Sequence, residues 1–317
     1  MNTPSNDTNP PQTTAPAVPQ RLTRDQWTHQ RDQHHARVDA LLAVHLEFKA
    51  EGRKHPVLDF LCEYYSFKFA RLRRWTPGFG VVLEGATRKD FKLIQALTPV
   101  EGGLTMKVAD FPARRRRSAG WIRGMLDATR RRPPQVGCFG LHEWAMVYKS
   151  DDIRHSKENL RMEPEALARF VESRQLICTH YDAFRFFTPA AAPLNHHQPS
   201  FETMDALEQP GCLHANMDLY RWSYKIYPWI DSAIILDAFE LAMDARRIDM
   251  QASPYDMTPY GLEPIKIETQ EGRRHYQTEQ TRISQRAAPL RDRLVAAYDL
   301  LLDAFKAEEA QDTLASA

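Results

Sequence analysis

Near the end of the chain, Leu290, Leu294, Tyr298, Leu301 and Phe305 recur at spacings of four, four, three and four residues, the period of one face of an α-helix. A helix carrying such a stripe has to bury it against other elements, so the chain must fold largely by packing helices. Thr23-x-x-Gln26 supplies a capping box and predicts a helix through Trp27, Val38, Leu41, Leu42 and Val44 to about Gly52. Pro56 to Trp75 reads as an aromatic helix that Pro77-Gly78-Phe79-Gly80 ends in a turn. Pro164 suits the first turn of a helix to Arg174, and two more helices are predicted at about 213–227 and 231–250. Leu176 to Phe187 reads as a strand rich in aromatic and β-branched residues, and Pro264-Ile265-Lys266-Ile267-Glu268 is strand-like too. The expectation is a mainly α fold with a small β component, one compact α+β domain over 23–308 without internal repeats.

The ends differ in composition. Residues 1–20 hold five prolines and a single charged side chain, Asp7, and cannot bury enough apolar surface to offset the entropy of ordering them. A disordered tail over 1–22 is expected, and a flexible polar tail over 309–317. No run of 18 apolar residues occurs, so no membrane span is expected. Four well-separated cysteines and no basic, apolar leader argue against a secreted disulfide framework, and the expected location is the cytoplasm.

Lysines and arginines number 42 against 41 acids, so the chain is not a globally basic nucleic-acid coat. Locally the balance breaks: between Arg114 and Arg132 stand eight arginines and one acid, Asp127, a charge of about +7. Guanidinium groups fork onto phosphate oxygens, whereas the bland alternative is a solvated surface.

Phosphate-loop, dinucleotide and serine-esterase motifs are absent. His142-Glu143 opens like a zinc-protease helix, but Met146 stands where the second histidine belongs. What recurs instead is a neighbourhood. Cys138 precedes His142 and Glu143, Cys178 precedes His180 and Asp182, and Cys212 precedes His214 and Asp218. On a helix His214 and Asp218 share a face, and on a strand His180 and Asp182 do, so both pairs can point into one cleft. Histidine with carboxylate serves either as a metal-ligand set or as an oriented acid–base pair. Buried, hydrogen-bonded core residues would give the same pattern. Aromatic residues such as Trp144, Tyr148, Tyr181 and Tyr220 lie nearby, and their faces can stack on flat bases.

Two resemblances sharpen the reading. The Pro77-Gly78-Phe79-Gly80 turn resembles the hairpin of helix-hairpin-helix DNA glycosylases, whose glycine amides hold a DNA phosphate. From about His55 to Arg293 the chain resembles a bacterial family commonly named 3-methyladenine DNA glycosylase. The blocks that carry this are His55-Pro56-Val57-Leu58-Asp59-Phe60, Cys138 to Tyr148, His180 to Pro189, Pro210 to Tyr220, and Ala252-Ser253-Pro254-Tyr255-Asp256.

The resemblance implies base excision in DNA repair: hydrolysis of the N-glycosidic bond of an alkylated purine, with DNA as the partner and no cofactor. A cationic base leaves readily, so such an enzyme needs a flipped-base pocket and a carboxylate near the developing sugar cation. Asp182 or Glu143 would be that carboxylate, with His142, His180, His214 and Asp218 as catalytic companions. Trp144, Tyr148, Tyr181 and Tyr220 would form the base pocket, and Arg114, Arg115, Arg116, Arg117 and Arg123 with Gly78 and Gly80 would hold phosphates. The alternative is a metal-dependent enzyme acting on a small molecule or modified nucleotide, with His142, Glu143, His180, Asp182, His214 and Asp218 as the ligand pool for iron or zinc. A non-enzymatic nucleic-acid-binding module would explain the arginines but not the paired His and Asp.

Overall fold

A computed structural model describes residues 19–150 and 158–315. Two helices buried on nearly every side form its centre: Leu213–Lys225 and Ser232–Ala252. In chain order the elements are β1 (Gln20–Leu22), α1 (Arg24–Ala50), α2 (Leu58–Tyr64), α3 (Phe69–Leu72), β2 (Val81–Glu84), β3 (Leu97–Val100) and β4 (Gly103–Met106). Then follow α4 (Ala113–Arg130), α5 (Leu141–Ala145), α6 (Pro164–Glu172), α7 (Tyr181–Phe184), α8 (Met204–Leu207), α9 and α10 (the central pair) and α11 (Gln270–Ala315). The fold is mainly helical with one small sheet, ordered β1-β2-β4-β3. Strand β1 runs parallel to β2, and β4 is antiparallel to both β2 and β3.

The capping box forms as its residues predict: Gln26 N–H donates to Thr23 Oγ1, and Thr23 N–H to Gln26 Oε1. Helix α11 buries Leu290, Leu294, Tyr298, Leu301 and Phe305, packing against α4, α9 and α10. It continues through residues 309–315, where the sequence reading expected a flexible tail. At the other end Gln20–Leu22 are already strand, paired with Val81–Leu83; the rest of the expected N-terminal tail, residues 1–18, lies outside the described residues.

Three other expectations change. The aromatic helix over 56–75 is two short helices, because Tyr65 turns extended and both Tyr65 and Phe67 bury their rings against Tyr220. Spacing by two suits that extended link and does not suit a helix. Leu176 to Phe187 is not a strand. Its first residues are extended, but Leu176 makes only an isolated bridge to Asn195, and the Asn195 side chain takes both backbone groups of Cys178 at 2.8 and 2.9 Å. With no neighbouring strand to pair with, the chain coils into α7 at Tyr181. Pro264–Glu268 is likewise no strand: Ile265 N–H donates to Gln251 C=O, Ile267 N–H folds back onto Ile265 C=O in a tight turn, and Ile265 and Ile267 are buried.

The basic segment is helical. Arg116 faces Glu308 and Glu309, Arg123 faces Asp299 and Asp127, and Arg130 faces Asp292 and Asp127. Carboxylates of α11 thus pair with three of the eight arginines. Among the described residues no helix is long and apolar enough to cross a membrane.

Candidate active site

The buried faces of the central helices are apolar except at a few points. On α9 the buried polar groups are Asn216, Asp218 and Ser223; on α10 they include Arg246 and Asp249. Buried charges persist only when paired, and each finds its partner on a short neighbouring element. Helix α5 carries His142 and Glu143, the N-terminal boundary of α7 is His180, and the segment after α8 carries Glu208.

Two groups result. In the first, His142 Nε2 is 2.8 Å from Asp249 Oδ1, while Arg246 Nη1 bridges Asp249 Oδ2 at 2.6 Å and Glu143 Oε1 at 2.7 Å. His214 Nε2 lies 3.9 Å from Asp249 Oδ2, too far for a hydrogen bond, and His214 makes none to the described residues. In the second, His180 stands between two carboxylates, with Nδ1 3.1 Å from Glu208 Oε1 and Nε2 3.7 Å from Asp218 Oδ2. Tyr65 O–H donates to Asp218 Oδ1 at 3.0 Å. Each of these trios, His142/His214/Asp249 and His180/Glu208/Asp218, offers three donor atoms within 4.8 Å of one another.

The electrostatics follow from burial and facing charge. Burial pushes the His214 pKa well below its usual value, and the neighbouring His142 adds to that. Burial also opposes a charge on His180, but Glu208 and then Asp218 outweigh it and hold the pKa above the usual value. Asp218 is raised by burial despite Arg221. Asp249 is lowered because His142, His214 and Arg246 together overcome its burial. Burial lifts Cys178 to about 12 and raises Cys138 and Cys212, so all three are neutral thiols at ordinary pH.

Two cavities meet at His214. The inner one is lined by the three cysteines together with His142, His180 and His214, so the Cys–His neighbourhoods of the sequence do come together. The outer one is an aromatic chamber lined by Phe60, Tyr64 and Phe186 with Glu143, Asp182 and Arg246. The same three aromatic residues border a surface groove, so they stand as a wall between that groove and the chamber at His214. Arg246 lies 4.0 Å over the Phe60 ring.

Asp182 belongs to this outer chamber and not to the histidine cavity. Arg221 and Arg185 both pair with it, and Arg221 lies 3.3 Å from Asp218. Burial raises its pKa and Arg221 more than reverses that, leaving it lowered.

Several expected site residues serve the core instead. Trp144 is fully buried and donates to Ala252 C=O, Tyr148 is buried with its hydroxyl on Glu172, and Tyr220 is buried with its hydroxyl on Phe67 C=O. None of the three has a face to offer a base, because the packing of α5 and α9 consumes it. Tyr181 is half-buried against the core. The Gly78 amide donates to Thr76 Oγ1, and a Cβ there would sit 2.6 Å from Asp231 N. That turn is a packing contact with no amide left for a phosphate at Gly78. The Gly80 carbonyl accepts from Gln20 N–H. Arg115 is turned inward onto the carbonyls of Lys225 and Tyr227. Arg114 and Arg117 are exposed without an ion pair among the described residues.

The residues that sequence reasoning missed are Glu208, Arg246, Asp249, Arg221 and the chamber walls Phe60 and Tyr64. One weak signal was available: Arg246 and Asp249 stand three residues apart, on the face of their helix that carries Leu236, Phe239, Ala242 and Ile235 rather than with Asp237, Glu240 and Asp244. No family model, curated protein or solved structure matches this chain.

Proposed function

We propose that the protein is a metal-dependent enzyme in which an iron or zinc ion, held by His142, His214 and Asp249, acts on a small molecule or modified nucleotide admitted through the aromatic chamber. The observation that carries this reading is His214: a partly buried imidazole, its side chain 11% exposed, with no hydrogen bond among the described residues, that lines both cavities. Two imidazoles and one carboxylate form a three-ligand set of the kind that leaves a position open for water or substrate. Glu143 and Asp249 carry two negative charges against one on Arg246, so the surroundings retain net negative charge for a cation. An ion there would polarise a substrate oxygen or activate a water, with Glu143 as the group assigned to proton transfer. Phe60, Tyr64 and Phe186 suit a planar substrate.

The test is elemental analysis of untagged protein beside His142→Gln and His214→Gln. The wild type should carry iron or zinc in stoichiometric amount, and each variant should lose about one equivalent. Protein that carries no metal and is not stabilised by added Zn²⁺ or Fe²⁺ removes the reading.

A second reading rests on Glu143 and Asp182, two carboxylates lining one aromatic chamber, the combination a DNA glycosylase for alkylated purines requires. Release of 3-methyladenine from methylated duplex in the presence of a chelator would favour it over the metal enzyme.

A further inference from the structure

We infer that the chain holds a second, fully enclosed divalent-metal site formed by His180, Glu208 and Asp218, distinct from the open trio at His214. His180 Nδ1 and Nε2, Glu208 Oε1 and Asp218 Oδ2 are all sealed from solvent, and none has a hydrogen-bond partner. Their contacts at 3.1 and 3.7 Å are close but misaligned for hydrogen bonds. Native interiors pair nearly all such atoms, and orphans from three residues at one point suit a ligand that accepts one lone pair from each residue, a single nitrogen from His180. A proton can satisfy only one line between two atoms; a cation can take three at once.

Charge points the same way. Glu208 and Asp218 bring two negative charges to a place where the side chains are at most 2% exposed. Arg221 shares its single charge between Asp218 and Asp182. Arg291 acts on Glu208 only through space, without an ion pair. Two buried carboxylates thus share one imidazole and part of one guanidinium, a setting that favours a divalent ion.

The spacing is compatible. Ligands about 2.0–2.1 Å from a tetrahedral ion stand roughly 3.4 Å from one another, and one donor atom from each residue already lies within 4.8 Å of the other two. Of the three residues only His180 also lines the inner cavity. Two oxygens and one nitrogen make a harder set than the two nitrogens and one oxygen of the open trio, and suit a divalent first-row transition metal. Its burial makes it a structural site, since catalytic sites keep a solvent-facing position. A resident ion would tie α9 to the α7 boundary and to the segment after α8.

Metal content and thermal stability of the full chain test this independently of activity. Wild-type protein should hold about two equivalents, and Glu208→Gln and Asp218→Asn should each lose about one while His142→Gln keeps the enclosed ion. Chelation should lower the wild-type melting temperature by more than that of Glu208→Gln, which has only the open-trio ion to lose. Should both variants fail to fold, titrating chelated wild type with Co²⁺ replaces them: two saturation steps with separate absorption bands support the inference, and a single step overturns it. An unchanged metal content in folded Glu208→Gln also overturns it. Loss of one equivalent in Glu208→Gln with none lost in His142→Gln would uphold the enclosed site and remove the proposed function instead. A wild type that neither carries nor binds metal removes both.

Discussion

His180 and His214 stack with ring centroids 5.4 Å apart and planes 28° from parallel, so the enclosed trio and the open trio share a wall of two imidazoles. His142 closes on the other side, edge-on to His214 at 4.5 Å. His214 is therefore in contact with all parts of the site: the enclosed group, the open group and the aromatic chamber.

Arg246 is the residue whose loss should be most severe. It is 2% exposed and bridges Glu143 and Asp249, so Arg246→Met leaves the buried Glu143 without its charged partner and Asp249 with His142 alone. Breaking a buried pair in this way costs about 3–5 kcal/mol, read as a lower midpoint in urea unfolding. A triple variant that adds Glu143→Gln and Asp249→Asn should recover much of that loss. No recovery would mean that packing against Phe60, not charge, sets the stability.

Asp182→Asn separates stability from chemistry. Arg221 and Arg185 both hold this carboxylate, and with both partly accessible the pairs should be worth about 1–3 kcal/mol together. The variant should melt lower than wild type but keep its metal. Under the glycosylase reading, excision should also fall about 10²–10³-fold. An equally active Asp182→Asn would transfer that role to Glu143.

The helices that carry the site were legible where one apolar face repeats. Leu290 to Phe305, the Thr23 box and the run after Cys212 each state their own period. The site itself was half legible. His142, His180, His214 and Asp218 stand out because a polar residue beside a cysteine in an apolar run is conspicuous. Glu208 stands in an irregular segment with no period to interrupt, and nothing in the local sequence ties it to His180. The strand over Leu176–Phe187 failed for a nonlocal reason: aromatic and β-branched residues form strands only beside another strand, and here Asn195 takes the backbone groups of Cys178. The pairing within the arginine run was illegible for the same reason, since the carboxylates that answer Arg116, Arg123 and Arg130, namely Glu308, Asp299 and Asp292, lie far along the chain on α11.

That placement predicts a split among the arginines. Arg123→Ala breaks partly exposed pairs to Asp299 and Asp127 and should cost no more than about 1 kcal/mol. If DNA binds this surface, Arg114→Ala and Arg117→Ala together should weaken binding across sequences and flatten its salt dependence. Equal loss from Arg123→Ala, or no loss from the pair, would place any DNA contact elsewhere.

The two central histidines should give the metal-free protein opposite responses to pH. His214 is lowered well below 6.5 in the folded chain, so unfolding takes up a proton wherever the pH lies between the two values. The stability it contributes is present above about pH 6.5 and is lost as the pH falls toward its folded value. His180 is raised above 6.5, so its contribution is complete below that pH and is lost as the pH rises through its folded value. Asp249 is lowered from 3.8, which puts its own loss on the far acid side. Melting temperatures of chelated protein between about pH 5 and pH 8 should therefore fall toward both ends. His214→Gln should flatten the acid side, and His180→Gln the alkaline side. If His214→Gln keeps the wild-type acid slope, the imidazole is not held neutral by burial, and the availability of its ring nitrogens for an ion at the open trio loses its basis.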